Sequence, residues 1–113
     1  MIYSSELIKG TLKTIVLKLL SDNNKMYGYE ITQRVKDLTK ERIQLTEGAL
    51  YPTLHSLEQE GLLKTEIEYV GKRMRKYYSL NKAGAAKTKE RISELTDFIN
   101  TLSFLLDLKT KNA

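Results

Sequence analysis

Between Leu63 and Leu80 the apolar side chains stop recurring at helical spacing and begin to alternate. Leu63, Thr65, Ile67 and Tyr69 interleave with Lys64, Glu66, Glu68 and Val70. Beyond Gly71-Lys72, Met74, Lys76, Tyr78 and Leu80 interleave with Arg73, Arg75, Tyr77 and Ser79. A period of two marks a strand, and a glycine-containing break between two such runs predicts one antiparallel hairpin. Helical periodicity lies on both sides, so the fold class expected is mostly α with a two-stranded β hairpin.

Three helices precede the hairpin. The first is expected from about Ser5 to Leu20, with Ile8, Leu12, Ile15, Val16 and Leu19 as its core-facing stripe. On its other side Tyr3, Leu7, Gly10, Thr14 and Leu17 follow alternating steps of four and three. That second stripe packs either against another chain or against the C-terminal helix of the same chain. Ser21-Asp22-Asn23-Asn24 reads as a turn, because such side chains compete with the helix for backbone hydrogen bonds. A second helix is expected from about Tyr29 to Leu38, with Ile31, Val35 and Leu38 inward. Thr46 is placed to cap a third and Gly61 to end it in a left-handed conformation, with Leu50, Leu54 and Leu57 on one face between them. Helix, turn, helix, longer connection, helix is the pattern of a helix-turn-helix core.

The last helix, which Asn81 is placed to cap, is expected to reach about Leu108. Ile92, Leu95, Ile99, Leu102 and Leu106 keep strict three-four spacing, and Phe98 and Leu105 widen the stripe. A chain of 113 residues offers this stripe too few neighbours. It is therefore read as a dimerisation helix, joined by Leu7 and Leu17 of the first helix.

Several chemistries are excluded by what is missing. There is no Cys, hence no disulfide frame, thiolate nucleophile or zinc finger. His55 is the only imidazole, and no GxSxG, HExxH or phosphate-loop pattern occurs. Glu58 and Glu60 lie far apart around a helix, and Glu66 and Glu68 share a strand's outward face, so both pairs read as solvated surface. No enzyme, metal or cofactor is expected. The longest apolar runs are a few residues, so neither a membrane span nor a secretory signal is expected, and the default is a soluble cytoplasmic protein.

The net charge of +5 is unevenly placed. Lys72, Arg73, Arg75, Lys76, Lys82, Lys87, Lys89 and Arg91 fall in one stretch that holds a single acid, Glu90. Four of these cations sit around the hairpin tip, where they would contact DNA phosphates and position the domain without reading sequence. The competing structural role is protection of a sheet edge. Opposite the leucine stripe of the third helix, steps of 100° place Gly48, Pro52, His55, Ser56 and Gln59, with Tyr51 at the edge. In a helix-turn-helix domain the N-terminal part of this helix enters the major groove. Gly48 permits close approach, Tyr51 and His55 offer hydrogen bonds, and the absence of Arg or Asn makes direct base reading sparse. Each also has a structural role open to it: His55 as plain helix surface, Tyr51 packed on the hairpin. Pro52, beyond the first turn, removes a helix donor, which calls for a positional reason.

Three segments resemble the PadR family of bacterial transcriptional regulators: Tyr27-Gly28-Tyr29-Glu30-Ile31, the run from Glu47 through Leu54-His55-Ser56-Leu57 to Leu62, and Arg73-Met74-Arg75-Lys76-Tyr77-Tyr78-Ser79-Leu80. The resemblance implies a winged helix-turn-helix over residues 1–80 and a C-terminal dimerisation helix over 81–113. It implies homodimerisation through the first and last helices and repression at a palindromic operator on double-stranded DNA. It places DNA contacts on Gly48, Tyr51, Pro52, Lys72, Arg73, Arg75 and Lys76. The short C-terminal segment is similar to the compact subgroup, some of whose members bind planar aromatic drugs between subunits, which makes a small apolar effector at the dimer interface the ligand class to expect. This chain has no Trp for such a sandwich; Phe98 and Phe104 are the available aromatics. The competing function is a winged-helix protein-interaction module whose basic block is incidental.

Overall fold

The computed structural model describes residues 1–107; Leu108 and the rest of the expected C-terminal unit lie outside them. In chain order the elements are α1 (Ser5–Lys9), α2 (Leu12–Asp22), β1 (Met26–Tyr27), α3 (Gly28–Leu38), α4 (Glu47–Gln59), β2 (Leu63–Val70), β3 (Arg73–Leu80) and α5 (Lys82–Leu105). The sheet has three strands in the order β1-β3-β2, all antiparallel. The expected two-stranded hairpin is thus completed by a third strand. β1 is too short for alternation to show, yet it adds to β3 at Met26–Tyr78 and Tyr27–Tyr77 and buries Met26.

The expected first helix is two. Thr11 closes a turn, its backbone N–H and its hydroxyl both donating to the Ile8 carbonyl at 2.9 Å, and Gly10 offers no side chain to hold the helix through it. The break divides the second stripe as well. Leu17 is 0% exposed within the chain's own core and Thr14 is buried, with Arg91 Nε of α5 donating to Thr14 Oγ1 at 3.2 Å. Leu17 is therefore not available to a second chain, and this part of the stripe covers the same chain's last helix. Leu7, before the break, stays 70% exposed. Two smaller expectations also change: Leu38, expected inward, is 66% exposed as the last residue of α3, and α2 runs through Ser21 and Asp22 with Asn23 as its C-cap.

The core joins Val16, Leu17 and Leu20 of α2, Ile31 and Val35 of α3, and Leu50, Leu54 and Leu57 of α4, with Leu62, Leu63 and Tyr78 from the base of the hairpin. Gly61 takes its left-handed φ of 76° after α4, as a terminating glycine should. At the entry to α5, Asn81 Oδ1 accepts from Gly84 N at 2.7 Å, and Asn81 Nδ2 donates to the Gly61 carbonyl at 2.8 Å. One side chain thereby ties the end of α4 to the start of α5. Gly84 lies so close to the Leu62 carbonyl that a Cβ would overlap it, with Leu80 Cδ2 at 3.1 Å. Gly84→Ala is therefore expected to destabilise by about 1–3 kcal/mol in urea unfolding, despite alanine's helix preference of about 1 kcal/mol; a net gain would contradict this packing.

Candidate nucleic-acid interface

α4 is built to present one face. Thr46 Oγ1 accepts from Ala49 N at 3.2 Å, Glu47 stands at the positive end of the helix, and Leu50, Leu54 and Leu57 are fully buried. Gly48, Tyr51, Pro52 and His55 consequently face solvent, as their spacing predicts. Pro52 is the sixth residue of α4, so it has no N–H for the Gly48 carbonyl, which is left as an acceptor near the helix start.

Tyr51 packs on the start of α3 and also lines the cleft walled by β3. Its ring lies against the first residue of that helix: a Cβ on Gly28 would come within 2.7 Å of Tyr51 Cζ. Glu30 fixes the same helix start, its Oε1 accepting from Tyr27 N at 3.1 Å. A cleft of about 480 Å³ opens here, lined by Tyr27, Gly28, Tyr29, Glu47, Tyr51 and the β3 segment from Arg73 to Lys76. Because β1 pairs only with Tyr77 and Tyr78, the edge of β3 beyond them is open toward this cleft. A larger cleft of about 590 Å³ lies between α1, α2 and α4, but Ile8, Leu12, Leu45, Ala49 and Pro52 make it mainly apolar.

The hairpin distributes its cations unequally. Lys72 and Arg73 are exposed at the tip, where Gly71 supplies the φ of 65° that the tight turn needs. Arg75 is half-buried with its guanidinium 4.3 Å from the Tyr27 ring, and Tyr27 meets Tyr77 edge-on at 5.4 Å. Lys76 is on the other face, its ammonium 3.4 Å from Glu58 Oε1 of α4 and 5.5 Å from the Tyr78 ring. The four cations expected at the tip are therefore two at the tip and two held along the strand.

Lys25, Tyr27 and Tyr29 carry no expected role, although all three shape this surface. Lys25 binds both wing carboxylates, Glu66 at 3.3 Å and Glu68 in closer contact. The hydrogen bond to Glu68 raises the Lys25 pKa, and the same bond lowers that of Glu68, so the link persists as pH falls until it drops below the lowered carboxyl value. The signal that could have found Lys25 is the pair of acids at positions 66 and 68 on one strand face. Burial pushes the Tyr78 phenol up, consistent with its place beneath the cleft. Among the described residues no cluster of His, Cys, Asp or Glu is arranged to hold a metal, and no helix is long and apolar enough to cross a membrane.

Three helices with a capped, outward-facing third member, followed by a cationic hairpin, define a winged helix-turn-helix protein. The family model described as Transcriptional regulator PadR-like family matches residues 16–90. The chain belongs to this family, and it is a transcriptional regulator rather than an enzyme. It is 40% identical over 70 residues to a transcriptional regulator of Mycobacterium tuberculosis, an alignment spanning 61% of this chain and 63% of that protein. Among solved structures, a transcriptional regulator from Clostridium thermocellum superposes with a TM-score of 0.79 at 27% identity, covering 94% of this chain and all of that one. A PadR family regulator from Eggerthella lenta also gives 0.79, at 30% identity over 92% and 88% of the two chains.

Removing Lys25 would expose two carboxylates beside the wing without touching the core. Lys25→Ala is expected to lower DNA affinity several-fold at low salt, a difference that fades as salt screens it. Its urea unfolding midpoint should stay close to that of the unmodified protein. Fluorescence anisotropy with unchanged affinity at low salt would contradict the shielding role.

Proposed function

We propose that this regulator is a homodimeric repressor that occupies a palindromic operator, α4 reading the major groove and the wing holding the flanking backbone. The observation that carries the dimer is the far half of α5. Its first half is used by the chain itself: Gly84 and Thr88 are buried, and Ile92 and Leu95 are half-buried. Beyond them Phe98, Ile99, Leu102, Phe104, Leu105 and Leu106 are exposed, Phe104 at 89%, with Leu7 exposed on α1. A contiguous apolar surface of this kind on a small chain calls for a partner, and a second copy covers it with two-fold symmetry. Two clasped winged helices present two reading helices, which is why the operator should be palindromic.

Gly48, Tyr51, Pro52 and His55 are assigned to the groove, Lys72 and Arg73 to phosphates, and Arg75 and Lys76 to the strand behind them. Ile99, Leu102, Leu106 and Leu7 form the dimer seam, extended by the parts of Ile92 and Leu95 that the chain itself leaves uncovered, so residues 81–113 act as the dimerisation unit and 1–80 as the DNA-binding one. Double-stranded DNA places the protein in the cytoplasm. A small apolar effector at the seam, near Phe98, would relieve repression by binding one spacing of the two heads better than another. A cleft lined by Gly10, Thr14, Arg91, Glu94, Leu95 and Phe98 borders the proposed seam.

Two measurements test this function. Changing Lys72 and Arg73 together to Ala should weaken operator binding and make the plot of log affinity against log salt shallower by about 0.9 for each phosphate that is no longer neutralised; an unchanged slope would remove the wing from the interface. Ile99→Asp should convert the dimer to monomer in sedimentation, because it buries an unpaired charge in the seam. An unmodified protein that sediments as a folded monomer would contradict the two-headed arrangement, and a protein that binds no DNA specifically would favour the interaction-module function.

A further inference from the structure

We propose that Tyr69 and Met74 form an apolar wedge that enters the minor groove beside the segment read by α4, disfavouring G·C pairs there; this rests on the operator-binding function above. The two residues are register partners across the hairpin, on the same face and next to its tip. Tyr69 is 73% exposed and Met74 62%, and Ile67 and Val70 are also open to solvent. Only the base of the hairpin is buried, at Leu63 and Tyr78, so the distal half makes no use of these side chains in folding. Such an apolar tip on an otherwise charged ribbon needs a ligand to cover it.

The charge pattern selects the ligand. Strand alternation puts Leu63, Thr65, Ile67 and Tyr69 on one face with Met74, Lys76, Tyr78 and Leu80. The hairpin itself places no acid on that face, and Glu58 of α4 meets it only at Lys76, away from the tip. Glu66 and Glu68 lie on the opposite face, where Lys25 binds both. The apolar pair therefore stands beside the exposed tip cations Lys72 and Arg73, with Arg73 on the opposite face of the ribbon and Lys76 held by Glu58 further down, an arrangement complementary to a polyanion with an apolar interior edge. The DNA minor groove fits that description, being flanked by phosphates and walled by sugars. Methionine is among the side chains that wedge into it. It is also narrow, about 6 Å, so side chains enter rather than the ribbon. A guanine there places its 2-amino group against the wedge, where neither the Met thioether nor the Tyr ring replaces the lost water hydrogen bond well.

The test uses the full chain and an operator selected from randomised duplexes, with the wing positions made A·T, G·C or inosine·C. Inosine lacks the 2-amino group, so inosine·C keeps the major-groove face of G·C and has a minor groove like that of A·T. The expected result is equal binding to A·T and inosine·C, and roughly tenfold weaker binding to G·C. The double variant Tyr69→Ala, Met74→Ala should lose this discrimination while keeping the wild-type salt slope and circular dichroism; Tyr69→Phe should keep the discrimination. Wild-type protein that treats G·C and inosine·C alike overturns the wedge, as does a double variant that still discriminates. Loss of repression in cells by a variant that still discriminates would assign the patch to a protein partner and likewise overturn it. Failure of wild-type protein to select any duplex would overturn the operator-binding function itself, and is distinct from wedge failure, in which the protein binds.

Discussion

Three leucines of α4 set the direction in which this protein faces its target. Leu50, Leu54 and Leu57 have no exposed surface and sit against the α2 and α3 side chains that form the rest of the core. Rotating α4 about its axis would withdraw all three at once, at a cost on the order of 2–5 kcal/mol for each side chain removed from the core. The azimuth of the helix is thereby fixed, and with it the outward placement of Gly48, Tyr51, Pro52 and His55. Gly28 adds a finer constraint: its missing Cβ lets Tyr51 lie on the start of α3 instead of extending freely. The proposed reading surface is thus held by apolar packing, and of the hairpin cations Lys72 and Arg73 stay exposed at the tip.

The hairpin follows a complementary logic. Its base is anchored through Leu63, Tyr78 and the two-residue strand β1, and its outer half projects without core contacts. Projection alone would expose Glu66 and Glu68 to a polyanion. Lys25, which precedes β1, pairs with both from the side and offsets one of their two charges, so the segment that enters the third strand shapes the electrostatics as well as the sheet. These exposed ion pairs contribute little to folding. Their effect is on the sign of the potential that an approaching phosphate meets.

Much of this was legible in the sequence because it depends on strong, local periodicity. The switch to alternation located β2 and β3 within their observed bounds, Thr46 and Gly61 marked the ends of α4, and the leucine spacing gave its inner face. What was not legible depends on contacts between distant segments. β1 has only two residues, and its pairing with β3 reflects tertiary proximity rather than pattern. Leu17 fits a second helical stripe by spacing, but the turn at Thr11 divides that stripe and the core takes Leu17. Lys76 reads as a tip cation until Glu58 of α4 is seen beside it. Helical continuity from Ser5 to Leu20 failed for a local reason, since a Gly-Thr pair can close a turn that apolar spacing does not report.

In the proposed dimer, the packing that orients one reading helix is repeated by symmetry in the second copy, and the seam along α5 sets the distance between them. Hydroxyl-radical footprinting of the selected operator tests that geometry directly. The account requires two equivalent protected segments related by two-fold symmetry, their centres one turn of about 10 base pairs or a multiple apart, with further protection where each wing tip lies. A single protected segment, or two without the two-fold relation, would contradict it.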